Sequence, residues 1–596
     1  MCGFAALYSY ADEAPPVTRE VLGAINQAMA RRGPDGEGLW MSDDERIGLA
    51  HRRLAIIDLS ADAAQPMTLE SPAGRLHISY NGEIYNFREL RRELEAAGAR
   101  FRTASDTEVL LHLYQRYGRA MTSRLRGMFA FAIWDEKRRG MLLGRDGFGV
   151  KPLYYMDDGK TLSAASQVKA LLAGRQAAGC PRPDFDSAGH AGFFLFGSVP
   201  EPHTLYKDIR ALPAGSTLWI DGNGVGKPEI FFDISSSLVA ASDDGGQVDL
   251  AEALRDSVKH HFVSDVPVGV FLSSGLDSAT LVGLSSELQG VGLDTLTLGF
   301  DEFKGSANDE VPLAETIAAR YGARQHTVRV AGKDFAADLD DLLASMDQPS
   351  IDGVNTYFVA KAAAGEGVKV ALSGLGGDEL FAGYDSFSHI PALVQGLGRV
   401  PGIGGFGRMV RALTAPLGGV VVSPKAPGLL EYASGYGDAY LLRRALFMPW
   451  ELASVMDGDM AREGLAALDV RPRLEACQGA LKASKAKVAA LEMAWYMRNQ
   501  LLRDADWAGM AHGLEIRVPF VDVTLFQALA GAIARGQGPG KQAMAAAPAT
   551  PLPQQVLSRP KSGFFVPVRD WLQGSGPAER GLRGWAKKVY QAQIAA

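Results

Sequence analysis

From Asp249 onward, short apolar runs alternate with longer amphipathic ones. Pro267–Leu272 reads as a buried strand and Ser278–Leu288 as a helix. Thr295–Phe300 (strand), Leu313–Tyr321 (helix), Gln325–Val330 (strand), Asn355–Ala364 (helix) and Val368–Ser373 (strand) follow. Continuous apolar strands separated by helices imply a parallel sheet covered on both faces, a doubly wound α/β arrangement preceded by the helix Leu250–His260. The first 170 residues carry a different rhythm. Strands at Arg75–Tyr80, Met128–Asp135 and Gly140–Gly144 stand among turn signals, with helices only at Phe87–Ala97 and Thr107–Tyr117. That mixture predicts an α+β layered sandwich. Residues 388–550 are mostly helical in pattern, with Gly/Pro-rich breaks.

These rhythms divide the 596 residues into 1–205, a connector over 206–245, and 246–596, in keeping with a chain too long for one core. Hydrophobic residues make up 47% and charged residues 22%, an ordinary globular balance. No apolar run approaches the ~18 residues of a membrane span. The opening Met-Cys-Gly-Phe lacks the basic-then-apolar order of a secretory signal, so the expected location is the cytoplasm. A net charge of −7 without long basic runs argues against a nucleic-acid partner. Three cysteines, Cys2, Cys180 and Cys477, cannot build a disulfide framework, and none form a Cys-x-x-Cys pair.

Cys2 stands directly after the initiator Met. Removal of Met1 would leave a thiol beside a free α-amine with a pKa near ~8, so one residue would supply nucleophile and base. A cysteine at position two is unremarkable by itself. Its company is not: Arg32–Gly36, His51–Asp58, Gln65–Met67, Tyr80–Asn86 (Tyr-Asn-Gly-Glu-Ile-Tyr-Asn), Ser105–Glu108 and Arg145–Tyr155 follow in order. In this series the chain resembles the N-terminal-nucleophile glutaminase domain of glutamine-hydrolysing asparagine synthetases. The resemblance implies Cys2 as nucleophile, with Asn81 and Gly82 holding the oxyanion. It also implies a glutamine site formed by Arg53, Leu54, Ala55, Ile56, Ile57, Asn81, Gly82, Glu83 and Asp106. The chemistry suits these types: a guanidinium grips an α-carboxylate in two prongs, carboxylates take an α-ammonium, and donors aimed at a developing oxyanion are worth a few kcal/mol. Where relatives carry His before Arg-Gly-Pro-Asp, this chain has Arg31.

Two further loops complete the pattern. The first strand of the α/β half runs into Ser273-Ser274-Gly275-Leu276-Asp277-Ser278 and then a helix, an arrangement that gathers unpaired backbone N–H groups around an anion. It resembles the Ser-Gly-Gly-x-Asp-Ser loop of ATP pyrophosphatases, with Ser274 at the first glycine. Ser373-Gly374-Leu375-Gly376-Gly377-Asp378 follows a second strand. The family expectation is ATP against Phe271, Leu272, Ser273, Ser274, Gly275, Asp277, Ser278, Leu298, Ser373 and Gly374, with Mg²⁺ on Asp277 and Asp378. Lys561, in Arg559–Phe564, would approach the phosphates and the acyl-adenylate. The resemblance spans about residues 1–575. It departs at Leu375, where asparagine synthetases proper have glutamate beside the reacting carboxyl. Ring-forming members of the family tend to lack the N-terminal cysteine, so ammonia is the expected nucleophile here. The implied activity is ATP-dependent amidation of a carboxylic acid, aspartate by default or another acid that suits an apolar side chain. A glutaminase or binding protein with an idle second half, and a homodimer, are the remaining expectations.

Overall fold

The computed structural model describes residues 2–72, 74–290, 292–414, 423–559, 566–572 and 581–595. Strand Gly3–Ser9 is buried at every position, and its two faces explain the first half of the molecule. Side chains alternate across a strand. Phe4, Ala6 and Tyr8 point into an apolar layer with Leu49, Ala130, Ala132, Trp134, Leu143 and Leu162. Ala5 and Leu7 point the other way, with Leu22, Ile25, Val168 and Leu171 from helices Arg19–Ala28 and Val168–Ala177. One strand thus packs against a sheet on one face and helices on the other.

The first sheet has six strands, in the order Ile209–Ala211, Tyr154–Asp157, Thr161–Ala165, Gly3–Ser9, Ile47–Arg53 and Gly36–Met41. The second runs Gly224–Val225, Ser216–Asp221, Gly140–Arg145, Gly127–Asp135, Gly74–Ile84 and Met67–Ser71, with Glu229–Ile230 paired to Ser216–Asp221. Its outer face is covered by helices Phe87–Ala96 and Asp106–Tyr117, whose Leu90, Leu94, Leu110 and Leu113 meet Ile78, Tyr80, Phe131 and Ile133. The result is a four-layer sandwich, helix–sheet–sheet–helix. Residues 206–245 are more than the connector that the sequence suggested. Ile209–Ala211 extends the first sheet, and residues 216–220 pair in register with residues 141–145. Short strands with Gly/Pro turns hid this, because a strand of three residues has too little periodicity to read.

The third sheet is all parallel, in the order Arg324–Val330, Asp294–Phe300, Val268–Phe271, Val370–Leu372 and Glu515–Arg517. One face meets Ala279, Leu281, Val282, Ala314 and Ile317; the other meets Ala360, Ala363 and Ala505. This is the doubly wound sheet that the alternation implied. The chain leaves Val268–Phe271 toward one edge and returns to pair Val370–Leu372 on its other side. That reversal opens a crevice at the strands' carboxyl ends, and both serine–glycine loops emerge there. The predicted strand Val368–Ser373 is shorter, Val370–Leu372.

Buried ion pairs join the sandwich to the parallel-sheet half. Arg32 is 2% exposed and forks onto Asp506 at 2.7 and 3.0 Å. Arg126 forks onto Asp522 at 2.8 and 3.1 Å; a third pair, Lys369 with Asp35 at 2.9 Å, lies open to solvent. Removing one member of a buried pair strands the other and costs about 3–5 kcal/mol, whereas replacing both by apolar groups is often near neutral. Arg32→Met is therefore expected to bring the thermal unfolding transition to clearly lower temperature. Arg32→Met/Asp506→Leu should recover most of the loss. An unchanged melting curve for the single variant would contradict the role given to this pair.

Candidate functional site

Strand register builds the first site. Gly3 pairs with Arg52, so Cys2 lies at the end where Ile47–Arg53 gives way to Leu54. The Cys2 thiol contacts the Leu54 carbonyl at 3.8 Å. Its backbone N–H donates to Asn81 Oδ1 at 2.9 Å, and its carbonyl accepts from Arg32 Nε at 3.0 Å. Burial pushes the thiol's pKa up, which favours the neutral form until a base takes the proton.

Asn81 is fully buried, and its Nδ2 has no hydrogen-bond partner among the described residues. A buried amide left without an acceptor costs about 1–3 kcal/mol, and a ligand oxygen arriving beside Cys2 would relieve it. Gly82 has φ +153°, and a Cβ there would lie 2.1 Å from the Met128 carbonyl oxygen. No other residue fits the position without moving the neighbouring strand.

The structure gathers the expected glutamine residues unevenly. Arg53 donates to the Ser60 carbonyl at 2.8 Å and to the Asp58 carbonyl, so its fork rests on a loop. Ala55 N–H donates to Asp35 at 2.8 Å; Ile56 and Ile57 enter the apolar layer beneath the second sheet. Asp106 heads its helix and accepts from Tyr80 Oη at 2.9 Å and Ile84 N–H at 3.0 Å. Burial nevertheless raises its carboxyl to about 6. Glu83 lies deepest in charge terms. Burial first, then Glu515, push its carboxyl well up, against the pull of Arg517, whose Nη2 is 3.7 Å away. Glu515 and Arg517 belong to the parallel sheet and form their own pair at 2.6 Å. The sequence reading gave those two residues no role. Their signal was two charges inside an otherwise apolar run.

The second site is a cavity of about 650 Å³. All residues from Phe271 to Ser278 line it, together with Leu298, Ser373, Gly374 and Asp378, so every described position expected at the nucleotide shares one wall. The first loop folds on itself. Ser278 Oγ accepts from Ser273 N–H at 3.1 Å, and Gly275 N–H donates to Ser273 Oγ at 3.2 Å. Helix Leu276–Gln289 starts here without a side-chain cap, which leaves its first N–H groups for a ligand. The second loop approaches closely. A Cβ on Gly377 would lie 2.5 Å from Asp277 Oδ1, and Gly376 has φ +88°. Ser373 N–H donates to the Arg517 carbonyl at 2.8 Å.

Lys541 was missed. It bonds Asp277 and meets Asp378 Oδ1 at 2.8 Å, with both carboxylates raising its pKa against burial. The two carboxylates expected to hold Mg²⁺ thus converge on one cation. Lys541 lies in no stretch that the resemblance singled out, and a lone lysine in sequence reads as surface. Glu310, Asp352, Glu379, Tyr384 and Tyr496 also line the cavity and were not foreseen. Lys561 lies outside the described residues.

Comparison with known proteins settles the lineage. Residues 1–230 match the glutamine amidotransferase domain family, and residues 249–591 match the asparagine synthase family. Asparagine synthetase [glutamine-hydrolyzing] 1 of Bacillus subtilis is 32% identical over 99% of this chain and 90% of its own. The chain belongs to the glutamine-hydrolysing asparagine synthetase family. A putative asparagine synthetase of Mycobacterium tuberculosis is 32% identical over 96% of this chain and 88% of its own. An amidase named chry2, from Gibberella zeae, is 30% identical over 65% of this chain and 60% of its own. Among solved structures, a glutamine phosphoribosylpyrophosphate amidotransferase from B. subtilis aligns at 18% identity over 55% of this chain and 81% of its own, with a TM-score of 0.31.

Asn81→Ala removes the orphaned amide beside Cys2. Loss of one preorganised donor typically lowers turnover by about 10²–10³-fold. The expected outcome is a fall of that size in the kcat of glutamine hydrolysis, with the thermal melt close to wild type. A kcat within threefold of wild type would remove Asn81 from the site.

Proposed function

We propose that this member of the family hydrolyses glutamine at Cys2 and uses the ammonia to amidate a carboxylic acid that ATP has activated. The observation that carries the first step is the unpartnered, buried Nδ2 of Asn81, the amide whose Oδ1 accepts from the Cys2 backbone N–H. With Met1 removed, the α-amine of Cys2 is the base. The thiolate attacks the side-chain amide of glutamine, Asn81 and the Gly82 N–H take the oxyanion, and ammonia leaves. Water then releases glutamate from the thioester. Arg53 is assigned to the α-carboxylate and Glu83 and Asp106 to the α-ammonium. For Arg53 this requires the guanidinium to leave the loop carbonyls that it holds in the structure. The working units of this reading are 1–205 for glutamine and 246–596 for synthesis, with the strands of 206–245 completing the sandwich.

In the second half, ATP is assigned to the 650 Å³ cavity, its phosphates over the serine loop and the uncapped start of Leu276–Gln289. Asp277 and Asp378 converge closely enough for one cation to touch both. That suits Mg²⁺, which binds through one or two carboxylates and completes its shell with phosphate and water. Bound there, it would neutralise phosphate charge. Lys541, and Lys561 by family resemblance, add cationic charge where pyrophosphate departs. The acceptor carboxyl attacks the α-phosphorus, pyrophosphate leaves, and ammonia displaces AMP from the acyl-adenylate. Keeping the adenylate in a cleft apart from Cys2 limits its loss to water.

Aspartate is the default acceptor. A second reading, an acid other than aspartate, is favoured by Leu375, which lines the cavity with Leu501 and Val359 and offers an apolar wall where ionic recognition of a small amino acid would place charge. The deciding measurement is pyrophosphate release with ATP, Mg²⁺, glutamine and a panel of carboxylic acids, aspartate included. Release that depends on one acid and yields its amide is expected. Cys2→Ala should abolish glutamine-supported amide formation and keep the ammonia-supported reaction. No pyrophosphate with any acid would refute the synthetic half, and glutamine turnover by Cys2→Ala would refute the nucleophile.

A further inference from the structure

The carboxylates lining the nucleotide cavity are partnered differently. Asp277 and Asp378 share Lys541. Glu310 has Arg559 at 3.7 Å from Oε1 and lies beside Ser274 of the serine loop, its Oε2 without a hydrogen-bond partner among the described residues, and Asp352 accepts from Tyr496 Oη at 2.8 Å. Glu379 is 1% exposed and lines the same cavity. Its Oε1 accepts from Tyr384 Oη at 2.9 Å, but its Oε2 has no hydrogen-bond partner among the described residues. The guanidinium of Arg444 is committed elsewhere: it pairs with Glu492 at 2.8 Å and stacks 3.8 Å from the Tyr496 ring and 4.6 Å from the Tyr384 ring. A desolvated carboxylate oxygen left without a donor costs at least about 1–3 kcal/mol. The group that would relieve this cost is an N–H donor arriving in the cavity.

The proposed reaction brings one. When ammonia adds to an acyl-adenylate, nitrogen becomes cationic and must shed a proton before a stable amide can form. Asp277 and Asp378 are occupied at the phosphate end. Leu375, on the same loop as Glu379, has no atom that accepts a proton. We infer that Glu379 is the catalytic residue that receives the nitrogen nucleophile, holding an N–H through Oε2 and taking one proton as the C–N bond forms. The nitrogen lone pair makes the new bond, the C–O bond to AMP breaks with its electron pair leaving on the nucleotide, and the proton from nitrogen ends on Glu379, which later returns it to solvent. Tyr384 positions the carboxyl from behind. This inference rests on the amidotransferase reading above.

The test uses the full-length enzyme with whichever acid supports pyrophosphate release, and compares wild type with Glu379→Gln. Glutamine hydrolysis reports folding, exchange of labelled pyrophosphate into ATP reports adenylation, and amide formation is measured with ammonium and with hydroxylamine. Glu379→Gln is expected to change exchange less than tenfold and to lower ammonia-dependent amide formation by about 10²-fold or more. Hydroxylamine, a weaker base that gives up its proton more readily, should recover much of the rate. Glu379→Asp should retain an intermediate rate. Unchanged ammonia-dependent synthesis, or exchange and synthesis falling together, would overturn the inference. Absence of exchange in wild type with every acid would instead sink the amidotransferase reading itself, and this inference with it.

Discussion

One guanidinium ties this molecule together. Arg32 is nearly fully buried, holds the Cys2 carbonyl with Nε, and grips Asp506 with its other two nitrogens. A charge so deep survives because all three of its nitrogens are engaged and a carboxylate faces it. Burial works against it, and Asp506 keeps it ionised. The same side chain therefore fixes the backbone of Cys2 and anchors the sandwich on helix Leu502–Met510 of the other half. If it moves, both the Cys2 geometry and the seating of the two halves change.

A second polar thread runs from one site toward the other. Gly82 is followed by Glu83, Glu83 faces Arg517, and the Arg517 carbonyl holds the N–H of Ser373 at the nucleotide loop. Tyr85 packs on His261 at 4.2 Å, and Arg517 donates to the carbonyls of His261 and Val263 at 2.8 and 2.7 Å. The route is short because the sheet strand Glu515–Arg517 lies at the edge that faces the sandwich. The segment carrying Glu83 and the loop that starts at Ser373 are thus attached to opposite ends of one arginine.

Much of this was legible in the chain. The switch from layered strands to alternating strand and helix gave both sheet types, because periodicity survives wherever an element spans several residues. The serine loop and its glycine-rich counterpart could be placed at one crevice from their position after parallel strands. What could not be read were meetings between distant residues. Lys541 pairs with Asp277 across 264 positions, and nothing local marks it. Glu515 and Arg517 looked like charges inside an apolar run until the fold put Glu83 beside them. Strands such as Ile209–Ala211 were too short to carry a pattern of their own. Leu375 worked the other way: one residue departing from a familiar stretch left the acceptor acid open.

The buried ion pairs also bear on how such a chain can be divided or recombined. Arg32, Asp35 and Arg126 each meet a counter-charge beyond residue 360. A cut in the gap between the two family matches, near residues 231–248, would leave each fragment with charges whose partners went with the other. The halves have separate folds and separate chemistries, yet they are not interchangeable parts. Exchange of the first half with that of a relative succeeds only if the donor carries the same charges at the same places. The heritable unit is the whole chain, because the two ends are matched to each other charge by charge.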